Sequence, residues 1–239
     1  GFSLRDLSFI VETMAEEALK AGVKIVTGDT KVVEKGKCDK LFITTSGTGI
    51  IDPSREHIGR GTRIMKGDRL IINGPVGNHS LAVLGARNQM SFSTSVVSDC
   101  ASLNGLTESI LTGCRQVNFM RDLTRGGLAS VLNELAGMIG KGIVADESSV
   151  PVDEPVRGIC EMLGFDPLYL ANEGKVLVVA GKDEAKKVLE MMRSHPLGSD
   201  AAIIGEIADS GRPVVTLNTS IGGKRILDML SGLQLPRIC

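Results

Sequence analysis

The run Val176-Leu-Val-Val-Ala180, apolar at every position, constrains this chain more than any other stretch. A strand without polar alternation belongs in the middle of a sheet rather than at its edge, so the remaining segments must build a sheet around it. Strand patterns recur at 68–73, 117–120, near 143–144, at 202–207 and at 213–217. Helical patterns lie between them at 78–87, 103–111, 128–139, 155–163 and 183–193, and a short amphipathic piece covers 225–230. Short connections between alternating strands and helices make this a mixed α/β or α+β fold.

The front of the chain reads differently. Leu4, Leu7, Ile10, Val11, Met14, Ala18 and Leu19 recur at helical spacing until Gly22, which predicts a helix over 3–22. Residues 23–33, interrupted by the polar Gly28-Asp29-Thr30-Lys31, and residues 41–45 read as two strands. One helix and two strands do not close a core. The chain also enters its helix almost directly from Gly1, so the N-terminal domain is expected to be incomplete here, or completed by a partner chain. Turn residues crowd 46–67, and the predicted division is 1–60, a C-terminal domain over 61–210, and a final strand and tail over 211–239.

Charge excludes some partners. With 27 basic and 28 acidic residues, the balance argues against a nucleic-acid or anionic-membrane surface as the main partner, and no Trp and one Tyr leave little to stack on bases. No apolar run has the length of a membrane span. Five widely spaced cysteines, odd in number and without a C-x-x-C, point to a reducing cytoplasm rather than to disulfides or zinc. The first four are expected to be packed or half-buried thiols.

Four places carry polar residues that a core does not require. Asp29 falls inside an apolar strand pattern, where a buried carboxylate needs a metal or a partner; Lys31 would project from the same face, and an Asx-turn is the structural alternative. Asp122-Leu-Thr-Arg-Gly-Gly-Leu128 is a strand-turn-helix junction. Thr124 is its expected N-cap, and Gly126 and Gly127 either let an anion approach the helix start or pack the helix tightly on a strand. Gly74-Pro-Val-Gly-Asn-His79 is a similar junction without the Gly-Lys-Ser/Thr of a Walker loop, and its histidine reads as packed or capping. Glu173 ends a loop against the central strand, a position suited to a general base. Finally, Ser231-Gly-Leu-Gln-Leu-Pro-Arg-Ile-Cys239 reads as an extended arm bearing a thiol, because Gly232 and Pro236 keep it out of a helix interior. Arg237 favours the thiolate and the α-carboxylate opposes it. A free cysteine at a frayed end is the structural alternative, and prenylation is excluded because its cysteine stands four from the end.

Taken in order, Gly28-Asp-Thr-Lys-Val-Val33, Asp122-Leu-Thr-Arg-Gly-Gly-Leu-Ala129, Asn172-Glu-Gly174 and Pro236-Arg-Ile-Cys239 resemble the HypE family of hydrogenase maturation proteins. The first two motifs are shared more loosely with aminoimidazole ribonucleotide synthetase, selenophosphate synthetase and thiamine-phosphate kinase; the terminal cysteine narrows the resemblance. It implies a two-domain aminoimidazole ribonucleotide synthetase-like fold and an ATP- and Mg2+-dependent reaction. In that reaction a carbamoyl group received on Cys239 from a carbamoyltransferase is dehydrated to a thiocyanate, the source of cyanide ligands for nickel-iron hydrogenase. The same resemblance implies Asp29 and Asp122 at the metal, Thr30, Thr124, Gly126 and Gly127 beside the nucleotide, and Glu173 as the base. Lys31 orients the thiocarboxamide or stabilises charge, with Lys35 as the alternative lysine. It further implies an iron-carrying scaffold partner and a homodimer formed through N-terminal sheets. A small-molecule synthetase or kinase of the same superfamily, and a non-catalytic adaptor docking by its tail, are the rival readings.

Overall fold

The computed structural model describes residues 1–88, 96–209 and 211–231. The backbone forms two compact units, Gly1–Ile51 and Asp52–Cys239. The division thus falls nine residues before the expected one, and residues 215–218 belong to the second unit's sheet rather than to a separate terminal piece.

In the first unit, helix α1 (Leu4–Lys20) starts where Ser3 accepts the Asp6 N–H and ends at Ala21. The two expected strands are not formed: residues 23–34 and 41–51 have no ladder partner among the described residues. A strand exists only through its hydrogen-bonded neighbour, and in this unit the β-prone runs have none. Their side chains are accordingly open, Val26 being 87% exposed.

The second unit begins with a short 3-10 turn at Pro53–Arg55 and α2 (Glu56–Arg60), a helix inside the segment expected to be turns. Its centre is a seven-stranded sheet of β1 (Arg69–Ile72), β2 (Val117–Asp122), β3 (Gly142–Asp146), β4 (Val176–Ala180), β5 (Ala202–Ala208), β6 (Val215–Asn218) and β7 (Lys224–Ile226), in spatial order β2-β4-β1-β5-β3-β6-β7. Only β3 and β6 run parallel. The piece expected to be amphipathic at 225–230 starts as β7, because its backbone completes the outer side of β6.

Alternation decides the layers. Leu70, Ile72, Leu177 and Val179 point to the face covered by α5 (Gly127–Ile139), joining Leu128, Val131, Leu132 and Leu135 in the larger core. Ile71, Val176, Val178 and Ala180 point the other way, onto α4 (Asn104–Gly113) and α7 (Ala185–Arg193). β4 therefore has both faces buried and strands on both sides, as its sequence requires. A third cluster joins α3 (Asn78–Asn88) to α6 (Glu154–Leu163) through Leu81, Leu84, Val156 and Ile159. Of the cysteines expected to be packed, Cys114 and Cys160 are buried, whereas Cys38 and Cys100 are exposed because neither lies on a core-facing side of an element.

Candidate functional site

At the edge of the sheet, β2 runs out at Asp122, opposite Val176 at the start of β4. The next residue, Leu123, is fully buried. Its N–H donates to the Lys175 carbonyl at 3.1 Å, and its own carbonyl accepts from the Asn172 N–H at 3.1 Å and from Asn172 Nδ2 at 3.0 Å. Asp122 thus leaves the sheet from a backbone fixed on both sides, with its carboxylate exposed. Thr124 Oγ1 donates to Asp122 Oδ2 at 3.3 Å. Thr124 is therefore not the N-cap expected of it. The residue before α5 is Gly126, at φ 73°, and no side chain caps that helix.

Gly127 answers the choice between ligand approach and packing. A Cβ there would lie 2.5 Å from the Leu170 carbonyl oxygen and 2.7 Å from that of Leu168, so the start of α5 packs directly on the backbone of 168–170. Gly126, by contrast, borders an open cleft of about 320 Å3, lined also by Arg121, Asp122, Thr124, Arg125 and Leu230. One wall of this cleft carries the ion pair of Arg121 with Glu134, at 2.7 Å.

The segment 168–170 leads to Glu173. A 3-10 turn at Pro167–Tyr169 begins where Asp166 accepts the Leu168 N–H. Asn172 is fully buried, accepts from the Gly77 N–H at 2.8 Å and donates to the carbonyls of Leu123 and Leu170, so one side chain ties three loops together. Glu173, the next residue, is half-buried. Asn73, quoted in the sequence only as the end of a strand, performs the matching task on the other side. Its Nδ2 donates to the carbonyls of Gly174 and Leu197, and its Oδ1 accepts from the Val176 N–H at 2.8 Å. A polar residue closing the apolar run Leu70-Ile-Ile was the available signal for it. His79 matches the packed reading, with Nδ1 2.9 Å from Ser98 Oγ.

The same 166–170 segment holds the last described stretch of chain. Arg225 Nη2 pairs with Asp166 Oδ2 at 2.6 Å, and Tyr169 Oη donates to the Asp228 carbonyl at 2.9 Å. Burial raises the Tyr169 phenol above its usual range, with the nearby Asp166 carboxylate acting in the same direction, so it stays a donor. From Asp228 the chain passes Met229 and Leu230, both on the lip of the cleft beside Asp122. Cys239 lies outside the described residues.

Asp29, Thr30, Lys31 and Lys35 belong to the first unit and are exposed. The expectation of a buried carboxylate at Asp29 is overturned, because no strand forms to bury it. Its Oδ1 instead accepts the Thr30 N–H at 2.9 Å. The described residues contain no cluster of three or more His, Cys, Asp or Glu side chains placed to hold a metal. A magnesium ion carried with nucleotide phosphates needs only one or two carboxylates and keeps water on its remaining positions. The exposed Asp122 oxygens at the cleft fit that demand.

Residues 65–218 match the family model described as AIR synthase related protein, C-terminal domain. The carbamoyl dehydratase HypE of Azotobacter vinelandii is 47% identical over 239 residues, covering all of this chain and 70% of that protein. Among solved structures, Escherichia coli HypE superposes with a TM-score of 0.93 at 44% identity, over 100% of this chain and 73% of that one. A HypE in complex with ATP gives 0.88 at 38% identity, over 100% and 72%. A HypE-HypF complex gives 0.84 at 44%, over 96% and 74%. Motif order, sheet architecture and similarity along the whole of this chain agree, and this chain belongs to the HypE family of carbamoyl dehydratases.

Proposed function

We propose that this chain, as a HypE-type enzyme of hydrogenase maturation, dehydrates a carbamoyl group carried on Cys239 as a thiocarboxamide, using ATP. The observation that carries the reading is the route of the chain as far as Leu230, pinned by Tyr169 and Arg225 and reaching the cleft beside Asp122. The eight residues from Gly232 to Cys239 span at most roughly 28 Å, enough to move a thiol between an outside donor and a site near that cleft. HypF, the partner in the solved complex, is the carbamoyl donor by this reading. An iron-carrying scaffold would then accept the cyanide ligand in the cytoplasm.

The chemistry sets what each residue must do. The carbamoyl oxygen is a poor leaving group until it attacks the γ-phosphorus of ATP and departs as phosphate. The nitrogen gives up two protons across the sequence, so Cys239–S–C(O)NH2 and ATP become Cys239–SCN, ADP, phosphate and a proton. Glu173 takes protons from that nitrogen. Asp122 and Asp29 would hold magnesium, which draws charge from the phosphates when bound. Thr30, Thr124 and Gly126 border the nucleotide, Gly127 sets the angle of α5 by its packing, and Lys31 orients the thiocarboxamide or stabilises charge, with Lys35 as the alternative. The full-length protein would work as a homodimer. A synthetase or kinase with a free small-molecule substrate is the second reading, and the course of the chain to Leu230 at the cleft favours the first. Intact-mass analysis with the carbamoyl donor, then with Mg-ATP, tests it: a gain of one carbamoyl group on Cys239 followed by loss of one water is expected. Modification at another residue, or undiminished product after Cys239→Ser, overturns it.

A further inference from the structure

Both backbone polar groups of Glu173 are taken up by a segment from elsewhere in the chain. Residues 96–103, which precede α4 without regular structure, lie across 173–175. Asp99 Oδ1 accepts the Glu173 N–H at 3.0 Å, and the Ala101 N–H donates to the Glu173 carbonyl at 3.5 Å. Asp99 Oδ2 faces Lys175 Nζ at 3.2 Å in an ion pair whose side chains are 6% and 12% exposed. Between them, a Cβ on Gly174 would come 1.8 Å from the Asp99 carbonyl oxygen, so only glycine admits this approach.

A carboxylate shut away from water is costly unless paired, which makes Asp99 a poor choice for mere packing. Its Oδ1 instead holds the Glu173 N–H by a hydrogen bond, and its Oδ2 meets the Lys175 ammonium as an ion pair without a hydrogen bond, one on each side of Gly174. A general base works within hydrogen-bond reach, about 2.6–3.2 Å from the atom that bears the proton or through one water, and displacement by roughly 1 Å can cost a hundredfold in rate. Glu173 sits in a loop, where backbone freedom would otherwise spoil that distance.

We propose that Asp99 is a positioning residue for the dehydration: it fixes the backbone from which Glu173 reaches the thiocarboxamide, and Lys175 holds Asp99 in place. This deepens the reading of Glu173 as base and rests on it. The test uses full-length protein carbamoylated on Cys239, mixed with Mg-ATP, with loss of water followed by intact mass in a single turnover. Two double variants are compared, Asp99→Asn with Lys175→Met and Asp99→Leu with Lys175→Met. Both remove the ion pair without stranding a charge, and only the first keeps an acceptor for the Glu173 N–H. The leucine variant should dehydrate about 10- to 100-fold more slowly, at unchanged half-saturating ATP and unchanged carbamoylation, while the asparagine variant stays within about threefold of the parent. Asp99→Ala with Lys175→Met replaces the leucine variant if that one does not fold. Glu173→Gln is run alongside and should give no product. Equal rates in the two double variants with an inactive Glu173→Gln overturn the role of Asp99 alone; an active Glu173→Gln overturns the base assignment and the positioning role with it.

Discussion

The two units contain similar apolar segments with opposite fates. Val23, Ile25, Val26, Val32, Phe42 and Ile43 lie in short β-prone runs of the kind that form strands, yet all are exposed. Val176 to Ala180, one short run of the same residue types, is buried throughout. Intrinsic preference is the same in both places. What differs is that β4 has β1 and β2 as ladder partners and helices on both faces, whereas 23–51 has no ladder among the described residues. Strand propensity is mostly a measure of fit to neighbours, and only one unit supplies them.

The sharpest way to break that contrast is a matched pair of truncations. Phe119→Ala in β2 empties a position only 2% exposed and should lower unfolding free energy by about 3–5 kcal/mol. Val26→Ala should change it by no more than about 0.5 kcal/mol. Urea titration followed by circular dichroism measures both, and a comparable loss for Val26→Ala would mean the first unit has a core after all.

The second test moves from apolar to polar burial within the larger unit. Asn172→Ala leaves the Gly77 N–H and the Leu170 carbonyl without their side-chain partner and should cost about 2–3 kcal/mol. Dehydration should fall as well, since Glu173 is its neighbour. A variant as stable as the parent would show that the three loops around Asn172 do not depend on it.

These differences mark what was legible in the sequence. In the second unit the periodicity predicted every strand but β7 and every long helix, because each pattern has a real partner to satisfy. It failed at 23–45 and at β7, where pairing rather than residue type decides the outcome. The candidate site was legible where a motif lies in one stretch, as in Asp122 to Gly127 and Asn172-Glu173. It was silent on Asp99 and gave only a polar strand end at Asn73, because their roles arise from contacts across 74 and 103 residues of chain. Thr124 was misread for a related reason: the turn geometry sends its hydroxyl to Asp122, and sequence alone gives no hint of that direction.

Thiol chemistry gives a gentler probe of the same contrast. Burial pushes Cys160 up to about 11, helped by the Asp166 and Glu161 carboxylates, and burial also raises Cys114. Since the thiolate is the reactive form, both should resist iodoacetamide in the native protein at neutral pH, while exposed Cys38 and Cys100 label readily. Peptide mass mapping before and after denaturation checks the order. Prompt native labelling of Cys160 would mean that the α3–α6 cluster opens easily.

The smallest expected effect lies at the anchor of the tail. Glu147 accepts from both the Ser220 N–H and its hydroxyl, and the backbone bond is the largest influence lowering its pKa, with Arg225 adding to it. A carboxylate whose folded pKa is depressed stabilises the fold above its unfolded pKa and loses that contribution as pH falls through the folded value. The β6–β7 turn should therefore hold at neutral pH and loosen only below the ordinary glutamate range. Partial exposure of Glu147 keeps the effect modest. Amide exchange at Ser220, corrected for the intrinsic pH dependence, should accelerate in acid, and Glu147→Gln should remove most of that acceleration. Because Arg225 on β7 also binds Asp166, loosening at this turn should reach the segment that carries Tyr169 before it disturbs the buried centre of β4.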